Sequence, residues 1–284
     1  MIEPTLSGDA LLADIHAARE LADEFHLWWL GQSGFLIQWQ GKHLLLDPYL
    51  SESLTKKYAA TDKPHIRMTR CPISPECFSF VDVITSSHNH TDHLDAETIL
   101  PLIASNSQIK IVVPEANREF AASRLQTNPA RLTGAIVDKP VQIDPFRITA
   151  VPAAHDKLEI DKAGYHRYVG YVVRFGPWTI YHSGDTLLYD GMVDRLRRHT
   201  VDVALVPING RAPERRISGN LWGDEAIKLT HAIGARIAIP CHYDMFTFNT
   251  ASPELFLETS REVGQDAIVL KCGQRWSSSR LSIK

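Results

Sequence analysis

One short run constrains this chain more than any other feature: Ser86-Ser87-His88-Asn89-His90-Thr91-Asp92-His93-Leu94-Asp95. It ends an apolar stretch, residues 80–86, that is typical of a buried strand. In extended backbone, residues two apart point the same way, so His88 and His90 can direct both imidazoles at one metal ion. Asp92 and His93 follow where the chain turns into the next helix, which directs them to a second position. The run therefore predicts two adjacent divalent ions.

Three more residues with ligand side chains each follow a predicted strand: His155, Asp185 and His242. A carboxylate can bridge two cations because its two oxygens diverge, whereas a histidine nitrogen offers one lone pair to one metal. The sequence thus predicts one ion held by His88, His90 and His155, a second held by Asp92, His93 and His242, and Asp185 between them. The alternative is a polar loop whose histidines cap a helix or face solvent.

The composition is that of an ordinary globular protein, with 44% hydrophobic and 22% charged residues among 284. No low-complexity linker divides the chain, so we expect a single domain over residues 1–284. The net charge of −3, with Lys and Arg scattered among acids, argues against a nucleic-acid partner. The sequence starts without signal-peptide character and holds no apolar run of membrane-spanning length, so we expect a cytoplasmic protein that binds no membrane.

Apolar periodicity predicts how helices and strands alternate. An amphipathic helix over residues 8–24 should precede three short strands, and residues 56–75, rich in cations and prolines, should form an irregular surface segment that overhangs the site. A βαβα rhythm then covers residues 80–125. Further strands are expected at 141–151, 167–175, 178–182, 202–207, 235–240 and 267–271, and helices at 192–199, 223–233 and 253–263.

With His, Gly-Asp-Thr and His following the HxHxDH run at long intervals, the chain resembles the metallo-β-lactamase superfamily. Within that superfamily, Trp28-Trp29-Leu30-Gly31, Tyr181-His182-Ser183-Gly184-Asp185 and Ile239-Pro240-Cys241-His242-Tyr243-Asp244 are similar to the branch of the L-ascorbate 6-phosphate lactonase. The resemblance implies a four-layer αββα sandwich with metals at the sheet edges. It also implies that Asp47 orients a metal-binding histidine, and Asp244 is a second candidate for that role.

The predicted reaction is hydrolysis. Two divalent ions facing Asp92 and Asp185 keep a net positive field, which lowers the pKa of a shared water and makes hydroxide available as nucleophile. Asp92 can then protonate the leaving group, so Asp92 and Asp185 are the predicted catalytic residues. Histidine-rich ligation suits zinc, while the carboxylates also admit manganese or iron.

The substrate is less constrained by these motifs. The branch resemblance implies a small lactone, ester or sugar-phosphate-type molecule, with a phosphodiesterase or nuclease as the alternative and a binding or redox scaffold as a third hypothesis. Arg211, Arg215 and Arg216 lie in a loop that either clamps an anionic group of the substrate or is solvated. His182 and Tyr243 are further candidates for substrate contact, although His182 could equally be a hydrogen-bonded core residue. The sequence leaves a homo-oligomer open.

Overall fold

Two β-sheets stacked face to face form the centre of the molecule, and helices cover their outer faces. The structure, a computed structural model, describes residues 1–281. The strands are β1 (His26–Gly31), β2 (Gly34–Trp39), β3 (Lys42–Leu46), β4 (Val83–Thr85), β5 (Lys110–Pro114), β6 (Leu132–Ala135), β7 (Pro140–Ile143), β8 (Phe146–Pro152), β9 (Val169–Phe175), β10 (Trp178–His182), β11 (Val203–Pro207), β12 (Ile237–Cys241) and β13 (Arg275–Ser277). The α-helices are α1 (Gly8–Ala17), α2 (Ser53–Tyr58), α3 (Ala96–Ser105), α4 (Arg118–Arg124), α5 (Met192–Arg197), α6 (Gly223–Ala232) and α7 (Glu254–Val263).

Each sheet is part antiparallel and part parallel. The first has the order β13-β1-β2-β3-β4-β5-β6, and the strands from β3 to β6 are parallel. The second has the order β12-β11-β10-β9-β8-β7, with β10, β11 and β12 parallel. Because β8 and β10 are both antiparallel to β9, β8 runs in the same direction as β10. The carboxyl ends of β8, β10, β11 and β12 therefore meet at one edge of their sheet.

Alternation along β1 explains how the first sheet is buried on both faces. Leu27 and Trp29 point into the core between the two sheets, whereas Trp28 and Leu30 point into the core under the helices. That second core contains side chains from α1, α3 and α4. Side chains of α5, α6 and α7 join the core of the second sheet. The four layers confirm the αββα sandwich.

The first helix is shorter than predicted. It ends at Ala17 and is followed by a 3₁₀ turn at Ala18–Glu20, instead of continuing to residue 24. Leu21, which belongs to the predicted apolar stripe, is exposed. A longer helix would bury no further apolar side chain, and the chain must already turn into β1 at His26.

Three other expectations need correction. Residues 267–271 form no strand: Ala267 makes a single bridge to Ala238 on β12, and the Lys271 N–H turns away to the Gln274 side chain. Residues 141–151 form a hairpin of two strands, β7 and β8. The predicted irregular segment begins inside a short helix, α2.

Sequence patterns missed β6 and β13, which have four and three residues, too few for a measurable period. β13 pairs with β1 across more than 200 residues of chain and closes one edge of the first sheet. Within residues 1–281, none of the helices has the length and apolar character needed to cross a bilayer.

Candidate metal centre

The histidine-rich run forms a tight turn between β4 and α3. The backbone N–H groups of His93 and Leu94 both donate to the His90 carbonyl, at 3.1 and 2.9 Å. This turn brings Asp92 and His93 back toward His88, whose ring lies 4.1 Å from that of His93 between centroids. The turn thus brings side chains that are close in sequence together into one cluster in space.

Other strands deliver the remaining predicted ligands to the same place. His155 follows β8, Asp185 follows β10 and His242 directly follows β12. The ligand atoms form two groups that could each hold a metal ion, with the atoms of a group within 4.8 Å of one another: His88 with His90 and His155, and Asp92 with His93 and His242. These are the two groups that the sequence predicts.

Asp185 lies between the two groups. One carboxylate oxygen, Oδ1, is 3.3 Å from His93 Nε2. The other, Oδ2, is 3.6 Å from His155 Nε2 and 3.3 Å from His242 Nε2. A single carboxylate therefore reaches imidazoles of both groups.

The unsatisfied atoms of this cluster fit a divalent cation. His88 Nε2, His93 Nε2 and Asp185 Oδ1 are buried and have no hydrogen-bond partner among residues 1–281. A buried polar atom without a partner costs about 1–3 kcal/mol. Imidazole nitrogens and carboxylate oxygens are the donors that zinc, manganese and iron accept, so metal ions held by the two groups would give these three atoms the partners that they lack.

Asp47 supports the cluster from behind. It directly follows β3, is fully buried, and receives hydrogen bonds from the Ser87 N–H at 2.9 Å, from the Ser87 hydroxyl and from His93 Nδ1 at 2.7 Å. Asp47, His88 and His93 also have ligand-type atoms within 4.8 Å of one another, but the Asp47 carboxylate is already occupied by these hydrogen bonds. Because Asp47 accepts a hydrogen bond from Nδ1 of His93, the other ring nitrogen, Nε2, faces Asp185. Asp47 thus has the orienting position that the family resemblance implies.

Two further supports were missed from the sequence. His155 Nδ1 lies 3.0 Å from the Gly219 carbonyl, so Nδ1 carries the proton and Nε2 faces the cluster. The Gln32 amide nitrogen is 2.7 Å from Asp92 Oδ2 and 3.0 Å from His242 Nε2. Gln32 sits between β1 and β2 in a stretch whose glycines indicate only a turn, so the sequence does not distinguish it from other turn residues; in the structure its backbone φ is 49°.

Burial and neighbouring charges shift the pKa values of the cluster in different directions. Burial lowers the pKa of His88 far below its usual value and that of His90 to about 4, so both imidazoles are neutral at pH 7. Burial opposes charge on Asp185, but the adjacent His242 and His93 outweigh it and hold the pKa of the carboxyl well below its usual range. The pKa of His242 rises against burial to about 9, because Asp185 and Asp92 flank it.

The cluster opens into a cavity of about 370 Å³. His90, Asp92, His155, Asp185 and His242 line its floor. Three cationic side chains, three aromatic side chains and four asparagines contribute to its walls: Lys57, Arg124, Arg216, Tyr58, Phe246, Phe248, Asn89, Asn209, Asn220 and Asn249. The predicted overhang of residues 56–75 corresponds to the wall that Lys57, Tyr58 and His65 form.

Two of the three arginines of the predicted clamp do not line the cavity. Arg211 makes a two-pronged ion pair with Glu225, at 2.6 Å for each contact, and does not line the cavity. Arg215 donates to backbone carbonyls of Asn209 and Thr250, also outside the lining. Arg216 does line the cavity, where it pairs with Asp62.

The remaining predicted contacts also have other partners. His182 is fully buried, with Nε2 2.9 Å from the Ser33 carbonyl, which is the core role left open above. Tyr243 stacks on Trp29, its hydroxyl donates to the Leu270 carbonyl, and it does not line the cavity. The hydrogen bonds of Asp244 within residues 1–281 use its backbone, and none reaches a histidine of the cluster.

Known proteins share both the sequence pattern and the fold. A family model described as a beta-lactamase superfamily domain matches residues 42–243. A UPF0173 metal-dependent hydrolase of Opitutus terrae is 30% identical over 254 residues, which cover 87% of this chain and 97% of the relative. Another, of Methanosarcina mazei, is 26% identical over 256 residues, 88% of this chain and 97% of the relative.

Solved structures agree on the fold. A metallo hydrolase of Ignicoccus hospitalis aligns with a TM-score of 0.65 at 20% identity, over 92% of this chain and all of the other. A metallo-beta-lactamase fold protein of Bacillus subtilis aligns with a TM-score of 0.63 at 18% identity, over 90% of this chain and all of the other. Sequence and fold together define a metal-dependent hydrolase. The chain belongs to the beta-lactamase superfamily and, within it, to the UPF0173 metal-dependent hydrolases.

Proposed function

We propose that this protein is a dinuclear hydrolase of small lactones, esters or sugar-phosphate-type substrates, similar in reaction to the L-ascorbate 6-phosphate lactonase branch. The observation that carries the proposal is the position of Asp185, within 3.6 Å of imidazoles from both groups. One ion would be held by His88, His90 and His155, and the other by Asp92, His93 and His242, with Asp185 shared. Zinc or manganese is the proposed metal, with iron as the alternative.

When bound, divalent ions supply Lewis-acid polarisation and lower the pKa of water enough for hydrolysis at neutral pH. The residues of the chain fix the geometry. Asp47 and the Gly219 carbonyl hold His93 and His155 by the ring nitrogen that faces away from the cluster, and the Gln32 amide contacts Asp92 and His242 from within it. The ligands are thus oriented before a metal binds, which reduces the cost of assembling the site.

The cavity supports a small, anionic substrate. Its volume of about 370 Å³ lies in the range of small-molecule sites. Lys57, Arg124 and Arg216 contribute cationic groups to its wall, which favour a phosphate or carboxylate group on the substrate. The overall charge of −3 argues against a long nucleic-acid substrate, for which an extended basic surface is needed.

A substrate panel tests the proposal. Protein stripped of metal by a chelator is reloaded with zinc, manganese or iron and assayed with simple lactones, p-nitrophenyl esters and bis-p-nitrophenyl phosphate. We expect hydrolysis of lactones or esters, with two metal ions bound per chain. Preferential cleavage of the phosphodiester would favour the alternative, and one ion per chain would overturn the dinuclear proposal.

The mechanism predicts that Asp92→Ala and His90→Ala each abolish turnover, by at least about a thousandfold, while the far-UV circular dichroism is unchanged. Each substitution removes one donor from one of the two groups, so bound metal should fall as well. Asp194→Ala, an exposed carboxylate on α5, is the control and should behave as wild type. Wild-type rates from Asp92→Ala or His90→Ala would refute the assignment.

A further inference from the structure

Three asparagines form a hydrogen-bonded chain beside the metal centre. Asn220 Nδ2 donates to Asn209 Oδ1 at 3.0 Å, and Asn209 Nδ2 donates to Asn249 Oδ1 at 2.9 Å. Asn209 follows β11, Asn220 precedes α6 and Asn249 follows β12, so the chain joins three separate segments. All three side chains line the cavity, and they are 1%, 1% and 9% exposed for Asn209, Asn220 and Asn249. We call this set the amide relay.

Arg215 fixes the direction of the amide relay. A guanidinium can only donate hydrogen bonds, and Arg215 Nη1 lies 3.3 Å from the side-chain oxygen of Asn249. The atom of Asn249 that faces Arg215 and Asn209 must therefore be its oxygen, and the other two amides follow in order. Arg215 is itself held by the carbonyls of Asn209 and Thr250 and lies over the Trp222 ring.

The amide relay ends in one unused donor and one unused acceptor. Among residues 1–281, Asn249 Nδ2 has no acceptor within hydrogen-bonding distance, and the buried Asn220 Oδ1 has no donor. Native proteins seldom leave such a buried acceptor unpaired. A hydroxyl group is the simplest partner for both ends, because it donates a hydrogen bond and accepts another.

The relay is fixed relative to the metal ligands by the backbone. Gly219, directly before Asn220, accepts the hydrogen bond of His155 through its carbonyl. Next to Asn209, the Ile208 N–H donates to the Cys241 carbonyl at 3.1 Å, and Cys241 precedes His242. The backbone beside Asn220 and Asn209 is thus tied to the segments that carry His155 and His242.

We propose that Asn220 and Asn249 form a subsite that selects substrates with several hydroxyl groups, and that Arg215 is its positioning residue. The substrate class is then a sugar-derived lactone or ester, which rests on the proposed hydrolytic function. A buried amide that must pair with a hydroxyl rejects an analogue that lacks the hydroxyl, because the amide is left unpaired.

Binding of two carboxylate probes to the zinc-loaded protein tests the subsite without turnover. D-gluconate carries hydroxyls along its whole chain, whereas 2-hydroxyhexanoate keeps the carboxylate and the neighbouring hydroxyl and lacks the rest. Calorimetric titration should give about tenfold tighter binding of gluconate to wild type, since two good hydrogen bonds are at stake.

Asn249→Asp is the principal variant, because the new carboxylate keeps the shape and can still accept from Asn209 and Arg215 while the cavity loses its donor. Its preference for gluconate over 2-hydroxyhexanoate should fall to about threefold or less, since one hydrogen bond is lost. Arg215→Ala should reduce the same ratio, because the Asn249 amide is then free to rotate. Asn128→Asp, at an exposed position outside the cavity where the carboxylate can still accept from the Ala130 N–H, is the matched control and should retain the wild-type ratio.

An equal affinity of wild type for the two probes, or an unchanged ratio in both Asn249→Asp and Arg215→Ala, would overturn the subsite. If the ratio behaves as expected but no lactone or ester is hydrolysed, the subsite stands and the proposed reaction falls. If lactones are hydrolysed and the ratio is flat, the reaction stands and the subsite falls.

Discussion

At the scale of single residues, metal affinity should depend on a carboxylate that does not touch the metal. Asp47→Asn removes the charged acceptor of His93 Nδ1, so the imidazole loses its fixed orientation and part of its basicity. We expect zinc affinity to fall by about 10–100-fold. Competition with a chelating dye measures this directly. Asp82→Asn is the control, since Asp82 pairs with Lys42 and the His43 N–H away from the cavity; equal losses in both variants would contradict the role of Asp47.

A histidine outside the site should make the fold sensitive to acid. His43 on β3 is fully buried, and neither ring nitrogen has a hydrogen-bond partner among residues 1–281. Burial, reinforced by Arg19, lowers the pKa of His43 to about 4 from an ordinary value near 6.5. Between these two pH values the unfolded chain binds a proton that the folded chain does not, so the free energy of unfolding decreases as the pH falls. Above pH 6.5 the contribution of neutral His43 is fully present.

The His43→Leu variant should lose less stability on acidification. From pH 7.5 to pH 5, urea denaturation of metal-free wild type should show a loss larger by about 2 kcal/mol than that of the variant. His231→Gln, an exposed histidine on α6, should follow the wild-type dependence. Parallel pH curves for His43→Leu and wild type would show that His43 does not carry this sensitivity.

At the scale of elements, the site depends on how closely the ends of strands from the two sheets approach. Gly184 follows β10 with a φ of 59°, and a Cβ there would lie 2.7 Å from both the Ser87 Cβ and the Val169 carbonyl oxygen. Ser87 lies in the loop that follows β4 of the first sheet, and its carbonyl accepts from the Val169 N–H at 3.1 Å. Gly184 thus allows the loop after β10 to contact the loop after β4.

Gly184→Ala should therefore destabilise the protein by about 3–5 kcal/mol, from left-handed backbone strain together with a steric clash. It should also weaken metal binding, because Asp185 is the next residue. Gly191→Ala separates the two effects, since Gly191 has a φ of 81° but open space around a Cβ; it should cost only about 1–2 kcal/mol. Chemical denaturation and zinc titration give both quantities. Equal losses of stability in the two variants would mean that the close approach is unimportant.

At the scale of the whole molecule, metal binding should stabilise the assembly of the two sheets. His88, His90, Asp92 and His93 extend from the first sheet, whereas His155, Asp185 and His242 extend from the second. The unfolded chain cannot bring these residues together, so binding energy becomes folding energy. At free metal about a thousandfold above Kd, the gain is about 4 kcal/mol.

Chelation with EDTA should consequently lower Tm by about 10 °C, as followed by scanning calorimetry. Readdition of zinc should restore the original Tm. The variant His90→Ala, with one ligand removed, should show a smaller difference between the chelated and reloaded forms. An unchanged Tm on chelation of a protein shown to contain metal would contradict the coupling of the two sheets through the site.

The sequence by itself determined the class of fold and the set of residues with ligand side chains. Local patterns gave the alternation of short apolar strands with helices and the His or Asp residues at strand ends, and the four-layer αββα class was implied by the family resemblance of those motifs. Such patterns are visible because strand period and ligand spacing involve residues a few positions apart. The same reasoning located the buried strand before His88, whereas the orienting role of Asp47 was implied only by the family resemblance.

Only the tertiary structure decided which polar residues face the cavity. Arg211, Arg215 and Arg216 are close in sequence, yet one pairs with Glu225, one orders Asn249 and one lines the cavity with Asp62 as its partner. Gln32 contacts Asp92 and His242, which lie 60 and 210 positions away. The direction of a side chain in a loop depends on partners that long-range packing brings to it. These partners cannot be inferred from the periodicity of nearby residues.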